Sequence, residues 1–325
     1  MTKFLKRNCI LCGSDNSQKL FNFTFNFITK VRNQDPESIK KFGWDRETNN
    51  WIVKCNHCGC AYVDEIIKGN VLDVDYNTEI YKDSFEKEFK NFFSNNNSQK
   101  QKNTHQYNES ILRNILHNLK KKDEIKLLDF GSGHAEFSLF KDSFSIKEIV
   151  SYDPRYPNNA NEIFYKYGIN SKPVNNLKDI LNYKFDIIIC QSVIEHVTDP
   201  GFEISCMKKM LNEDGIIYIN NPYMNIEKDL KLLLSAKEIT KKDHISCYHI
   251  SHVNYMMPNI FINLCKKNNL KLINFWQKYS TASKSNNIFQ VLKTNFNSFL
   301  HFILNTFGIF YKKQHFFLKL DKTVK

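Results

Sequence analysis

Four cysteines fall in two matched pairs: Cys9-Ile10-Leu11-Cys12, followed by Gly13, and Cys55-Asn56-His57-Cys58, followed by Gly59. Two residues between thiolates let both sulfurs of a pair point at one cation, and the glycine relieves the backbone in the turn. Four thiolates suit tetrahedral zinc in a closed site, structural rather than catalytic. Such a site would supply folding energy to a region too small to build its own core. His57 and Cys60 are spare donors beside the second pair and read as bystanders. Cys190, Cys206, Cys247 and Cys265 lie on or beside apolar segments and read as buried core thiols.

A second constellation is acidic and glycine-rich. Residues 125–133, IKLLDFGSG, run from an apolar stretch into Asp129, Gly131 and Gly133. Where a parallel strand turns into a helix, glycines let the backbone approach a ligand, and a strand-end carboxylate can accept hydrogen bonds. Asp153 closes the next strand candidate, IVSYD, 24 positions after Asp129. An acidic side chain there can grip both hydroxyls of a ribose. The continuation His134-Ala135-Glu136 lacks the third glycine of a dinucleotide fingerprint, and no GKS or GKT follows to cradle a triphosphate.

Gln191 directly follows the apolar run FDIIIC and is the cofactor-side candidate there; Glu195 and His196 come next. A histidine just past a strand's carboxyl end lies on the usual ligand face of an open sheet. Alternatively, Glu195 and His196 open a helix and orient the loop without touching substrate. Further on, KKDHISCYHISHVNYMMP gathers His244, His249 and His252 with Tyr248 and Tyr255. An imidazole near its ordinary pKa could take the proton of a hydroxyl acceptor, or it could anchor the loop. His249, His252 and His196 are the catalytic candidates.

These residues need elements to hold them. Apolar positions at Ile111, Leu112, Ile115, Leu116 and Leu119 predict a helix from Tyr107 to about Lys120. IKLLDF, KEIVSYD, KFDIIICQS and EDGIIYINNP read as strands, and Pro258 opens a helix through Cys265. LKLINFW and NIFQVLK follow as a strand pair. This alternation predicts an α/β sandwich around a mainly parallel sheet that ends in an antiparallel pair. The organisation expected is a zinc-ribbon-like module over residues 1–70, a polar connector over 71–104, an α/β domain over 105–293, and an aromatic, basic extension over 294–325. In the connector, Tyr76 and Tyr81 are placed to fold over a neighbouring site. Residues 298–320 are read as a helix closing over the fold, with a peripheral membrane contact or a homodimer surface as the alternatives.

Composition narrows the partners. The chain has 325 residues and a formal charge of +12, which favours an anionic small molecule, nucleic acid or an acidic membrane surface. No opening segment resembles a signal peptide and no apolar run spans a bilayer, so a cytoplasmic, reducing setting is expected. Nine cysteines there argue for metal or core thiols rather than disulfides.

LLDFGSGHAEFSLF, IVSYDP, FDIIICQSVIEHVTDP and LNEDGIIYINNPY, in that order, resemble the class I S-adenosylmethionine-dependent methyltransferases over roughly residues 105–293. The resemblance implies a Rossmann-like, seven-stranded, mostly parallel sheet whose last strand is antiparallel. It places Asp129, Gly131 and Gly133 against the methionine part of S-adenosylmethionine and Asp153 on the ribose hydroxyls. It also sets the loop after Gln191, with its Glu-His pair, along the cofactor and the reacting methyl. His252-Val253-Asn254-Tyr255 is similar to a histidine segment that precedes a helix in the same subgroup. Zinc ribbons ahead of such domains occur in methyltransferases of sugar and glycan biosynthesis. A nucleotide sugar or glycan precursor is therefore the expected acceptor; an RNA methyltransferase, or a non-catalytic nucleic-acid-binding or assembly protein, is the alternative.

Overall fold

The computed structural model describes residues 4–41, 49–67, 79–94, 99–222, 224–240, 243–248, 251–273 and 313–323. In chain order the strands are β1 (Phe4–Lys6), β2 (Ser17–Thr24), β3 (Asn49–Cys55), β4 (Ala61–Val63), β5 (Glu65–Ile67), β6 (Ile125–Phe130), β7 (Ile146–Tyr152), β8 (Lys172–Val174), β9 (Phe185–Gln191), β10 (Leu211–Pro222), β11 (Asn254–Tyr255), β12 (Leu270–Leu272) and β13 (Lys313–Leu320). The chain divides into two units that interleave along the sequence. One comprises residues 1–78, 192–204 and 221–268; the other comprises residues 79–191, 205–220 and 269–325.

In the second unit a mixed seven-stranded sheet has the order β12-β13-β10-β9-β6-β7-β8. The pairs β6–β7, β6–β9, β9–β10 and β7–β8 are parallel, and β12–β13 is antiparallel. The central strands are apolar without alternation because both faces are covered: Leu127, Leu128, Ile187, Ile188 and Ile189 are all buried. The helix Gln99–Asn118 turns Ile111, Leu112 and Ile115 into the same cluster as Leu127, Ile187, Tyr218 and Phe317. From β6 the chain lays β7 and β8 on one side, then places β9 on the other side of β6. Strand order thus reverses between β6 and β9, the position where open α/β sheets seat ligands.

The first unit is built on a four-stranded antiparallel sheet, β11-β4-β3-β2. Its core gathers Phe21, Phe23, Ile52 and Val63 from the N-terminal strands with Ile226, Tyr248, Val253 and Tyr255 from far downstream. β11 joins by pairing Asn254 with Tyr62 and Tyr255 with Ala61. Arg7, buried beside the first cysteine pair, fastens the same seam. Its Nη1 donates to the carbonyls of Val63 (3.3 Å) and Val253 (3.2 Å), and its Nη2 donates to Thr198 O (2.9 Å) and Asn254 Oδ1 (2.7 Å). Burial lowers the guanidinium pKa to about 10.

Three expectations change. The strand antiparallel to β12 is β13, whereas NIFQVLK lies outside the described residues. Residues 313–320 are a strand rather than part of a closing helix. Phe316, Phe317 and Leu318 are consecutive and all buried, as suits a strand flanked on both edges and covered on both faces. The remainder of the extension, with the proposed membrane or dimer surface, lies outside the described residues, as does Tyr76; Tyr81 lies in a helix, with its side chain undescribed. The connector is also helical where it is described, over Glu79–Ser94 and from Gln99 onward. Phe85 and Phe89, four residues apart, give the first helix a buried stripe in a cluster with Tyr156 and Phe164. No helix among the described residues is long and apolar enough to cross a membrane.

Candidate functional site

At the carboxyl end of β6 the chain enters its glycine turn with φ of 70° at Gly131 and 52° at Gly133. Gly131 N and Ser132 N both donate to Tyr152 O, at 2.8 and 3.0 Å, which ties the turn to the end of β7. Gly133 N donates to Asp153 Oδ2 at 2.9 Å. The left-handed backbone at Gly133 calls for glycine, and a Cβ there would stand 3.3 Å from Arg155 Nη2. Asp153, 2% exposed, also takes a two-pronged clasp from Arg155: Nε to Oδ1 at 2.7 Å and Nη2 to Oδ2 at 2.6 Å. Asp129 is buried at the end of the neighbouring strand. Burial first, then the charges of Glu136 and Asp153, push its carboxyl well above the usual range.

The sequence-predicted residues Asp129, Gly131, Gly133, Asp153 and Gln191 therefore all stand at the carboxyl ends of β6, β7 and β9. Several neighbours went unnoticed in the sequence. Gln191 Nε2 donates to Asn108 Oδ1 at 3.5 Å, and Asn108 Nδ2 donates to Glu136 Oε2 at 2.9 Å. Asn220 is the register partner of Gln191 on β10, and its Nδ2 donates to the hydroxyl oxygens of Tyr107 (2.6 Å) and Tyr218 (3.2 Å). Its buried Oδ1 has no hydrogen-bond partner among the described residues, a polar atom for which a ligand is the natural complement. His134 stacks on Phe92 with centroids 4.8 Å apart, and burial lowers its imidazole pKa. A cavity of about 500 Å³ adjoins the site at Asn108 and Glu136 and is lined also by Phe92, His105 and Phe140, but Asp129, Gly131, Gly133, Asp153 and Gln191 do not line it. Only a ligand-facing position would have marked Asn108 or Asn220 in the sequence, and that position depends on the fold.

In the other unit the cysteine pairs converge. Cys9 Sγ lies 3.4 Å from Cys58 Sγ, and Cys12 Sγ lies 3.6 Å from Cys55 Sγ. All four sulfurs lie within 4.8 Å of one another, a cage that could take one tetrahedral cation. The knuckles match in detail. Gly13 N donates to Cys9 O and Gly59 N to Cys55 O, and both glycines sit at φ 76°. A hydrogen bond from Cys60 pulls the Cys9 thiol down to about 4, while burial pushes the Cys58 thiol up. As thiolates the four sulfurs would repel one another at these distances, and a bound cation would offset that repulsion. Cys60 is buried and is not one of the four clustered sulfurs, and His57 is exposed.

The same unit brings His196 and His252 together, with ring centroids 4.5 Å apart and planes at 73°. His196 Nδ1 donates to Ser251 O at 2.8 Å, and His252 Nδ1 donates to Cys247 O at 2.6 Å. A carbonyl only accepts, so each neutral ring carries its proton on Nδ1 and its lone pair on Nε2. Glu195 lies beside them with its carboxylate buried, and its carbonyl accepts from Val253 N (2.8 Å) and Asn254 N (3.1 Å). The Glu-His pair sits in a turn and does not open a helix; the following helix starts at Pro200. Ser192, directly after Gln191, holds φ 53°, a strained angle for serine. His249 and the His244 side chain lie outside the described residues.

Residues 103–274 match the family described as "Methyltransferase domain". A tRNA U34 carboxymethyltransferase of Campylobacter lari is 25% identical over 130 residues, covering 38% of this chain and 43% of that protein. A ubiquinone biosynthesis O-methyltransferase of Pelagibacter ubique is 30% identical over 89 residues, covering 27% of this chain and 36% of that protein. The chain spans less than half the length of either curated relative. Among solved structures, an S-adenosylmethionine-dependent methyltransferase from Clostridium acetobutylicum aligns with 73% of this chain and 98% of its own, at 13% identity and a TM-score of 0.45.

Proposed function

Because this chain belongs to the methyltransferase-domain family, we propose that it is an S-adenosylmethionine-dependent methyltransferase that acts on a hydroxyl oxygen of a small molecule. The observation that carries the donor half is the Gly131–Gly133 turn clipped to Asp153 at the point where strand order reverses. Asp153 would accept the ribose hydroxyls once the Arg155 guanidinium turns aside, and Asp129, Asn108 and Gln191 would line the amino-acid end. Bound S-adenosylmethionine supplies an electrophilic methyl group on a sulfonium. The protein's own contribution is then alignment, which can account for much of such a rate.

The acceptor half rests on the pairing of His196 and His252, each ring oriented by a bond from Nδ1 to a backbone carbonyl. A nucleotide sugar or glycan precursor is one member of the hydroxylated class. An RNA acceptor is the second reading, favoured by the tRNA-directed name of the Campylobacter lari relative and by the +12 charge. The cysteine cage would hold zinc as a structural ion. Calorimetry with S-adenosylhomocysteine and NAD tests the donor half; binding of the former and not the latter is expected. Label transfer from methyl-labelled S-adenosylmethionine into total RNA or into a pool of small hydroxylated metabolites separates the acceptors. Label confined to RNA would overturn the small-molecule reading.

A further inference from the structure

Glu195, His196 and His252 each place one ligand atom within 4.8 Å of the other two. We propose that this cluster is a second metal site, distinct in chemistry from the cysteine cage, that holds one divalent cation with coordination positions left open for an oxygen ligand. Three features carry it. The donor set is one carboxylate and two imidazoles, the combination that suits Mn²⁺, Fe²⁺, Co²⁺ or Zn²⁺ rather than a thiolate-seeking ion. Both imidazoles have Nδ1 fixed as donor to a backbone carbonyl, Ser251 O at 2.8 Å and Cys247 O at 2.6 Å. That is the outer bond by which metal-binding histidines are ordinarily oriented, with Nε2 presented to the ion. The third feature is rigidity: Glu195 O takes the amides of Val253 and Asn254, and Asn254 Nδ2 donates to Ile194 O (2.8 Å) and Val197 O (2.7 Å). The two segments that supply the ligands are thereby locked to each other.

With an ion bound, the two imidazoles would serve as its ligands, and the ion would take over from them the task of acidifying the acceptor oxygen. That role rests on the proposed hydroxyl acceptor, whereas cation binding itself does not.

The test uses the full chain with its cysteine cage loaded with zinc. Manganese is the probe, because carboxylate and imidazole suit it and thiolate does not. Titration followed by electron paramagnetic resonance should show one Mn²⁺ bound per chain. Glu195→Gln and His252→Ala should each weaken it by about tenfold or more, with zinc content and melting temperature reporting that the variants fold. Absence of bound Mn²⁺, Co²⁺ and Fe²⁺ in the wild-type chain, with no more than one zinc per chain, would overturn the site. So would unchanged manganese binding in a folded Glu195→Gln, His252→Ala double variant. Label found only on RNA would overturn the small-molecule acceptor while leaving the manganese titration to decide the cation site.

Discussion

Asp153 is the residue on which the donor site turns. Charge-assisted hydrogen bonds contribute about 1.5–3 kcal/mol each, so Asp153→Ala should weaken S-adenosylhomocysteine binding by about tenfold to a hundredfold in calorimetry. Arg155→Ala should act in the opposite direction, because it frees the carboxylate that Arg155 now clasps; weaker binding by that variant would refute the clasp as a competitor of the ribose. Glu203 offers a pH test. Burial, and then the charge of Asp199, raises its carboxyl from 4.5 to about 7. A carboxyl whose folded pKa exceeds its unfolded one favours folding in its protonated form. Its contribution is therefore greatest below 4.5 and falls as pH rises through about 7. Urea melts at about pH 5 and about pH 8 should show Glu203→Gln losing less stability than the wild type across that interval; equal losses would reject the assignment. At this scale the sequence reveals residues that share a local motif. Asp129, Gly131, Gly133 and Asp153 sit beside strand ends that periodicity exposes. The Glu195–His196–His252 cluster was hidden because two distant segments must first be folded together, and the Arg155 clasp because it is a rotamer.

Among the elements, the two-residue strand β11 has consequences beyond its length. Cys55 ends β3, β3 pairs with β4, and β4 carries β11, which begins two residues after His252. Arg7, two residues before Cys9, bonds Val253 O and Asn254 Oδ1 from the other side. Metal held in the cysteine cage would thus brace the histidine segment through one short ladder. Chelating that metal should speed amide hydrogen exchange at Val253 and Asn254 while β6 and β9 stay protected. Equal protection of Val253 before and after chelation would show the ladder to be independent of the cage. β6, β7, β9 and β10 were legible from apolar stretches bounded by turns. β11 was not, since two residues carry no period. β13 was mistaken for helix because consecutive buried aromatics in KQHFFLKL look alike in a doubly covered strand and an apolar helix.

Taken whole, the molecule is woven rather than strung. The chain crosses between its two units after residues 78, 191, 204, 220 and 268, so cutting before residue 105 removes strands that hold the histidine segment in place. The family match over residues 103–274 omits both β13 and the cysteine cage. A fragment of that span should be poorly soluble and should lack cooperative unfolding. In the full chain, Phe317→Ala alone should cost about 3–5 kcal/mol, measured by urea denaturation, because the ring is buried in the main core of the sheet. The place of β13 between β10 and β12 also sets a timetable during synthesis. Until Lys313–Leu320 leaves the ribosome, β10 and β12 lack the strand that lies between them. Unpaired apolar edges invite association with other chains. The nascent polypeptide is therefore most exposed to aggregation while residues 273–312 are being added, and chaperone capture in that interval would govern the yield of active protein more than the stability of the finished fold.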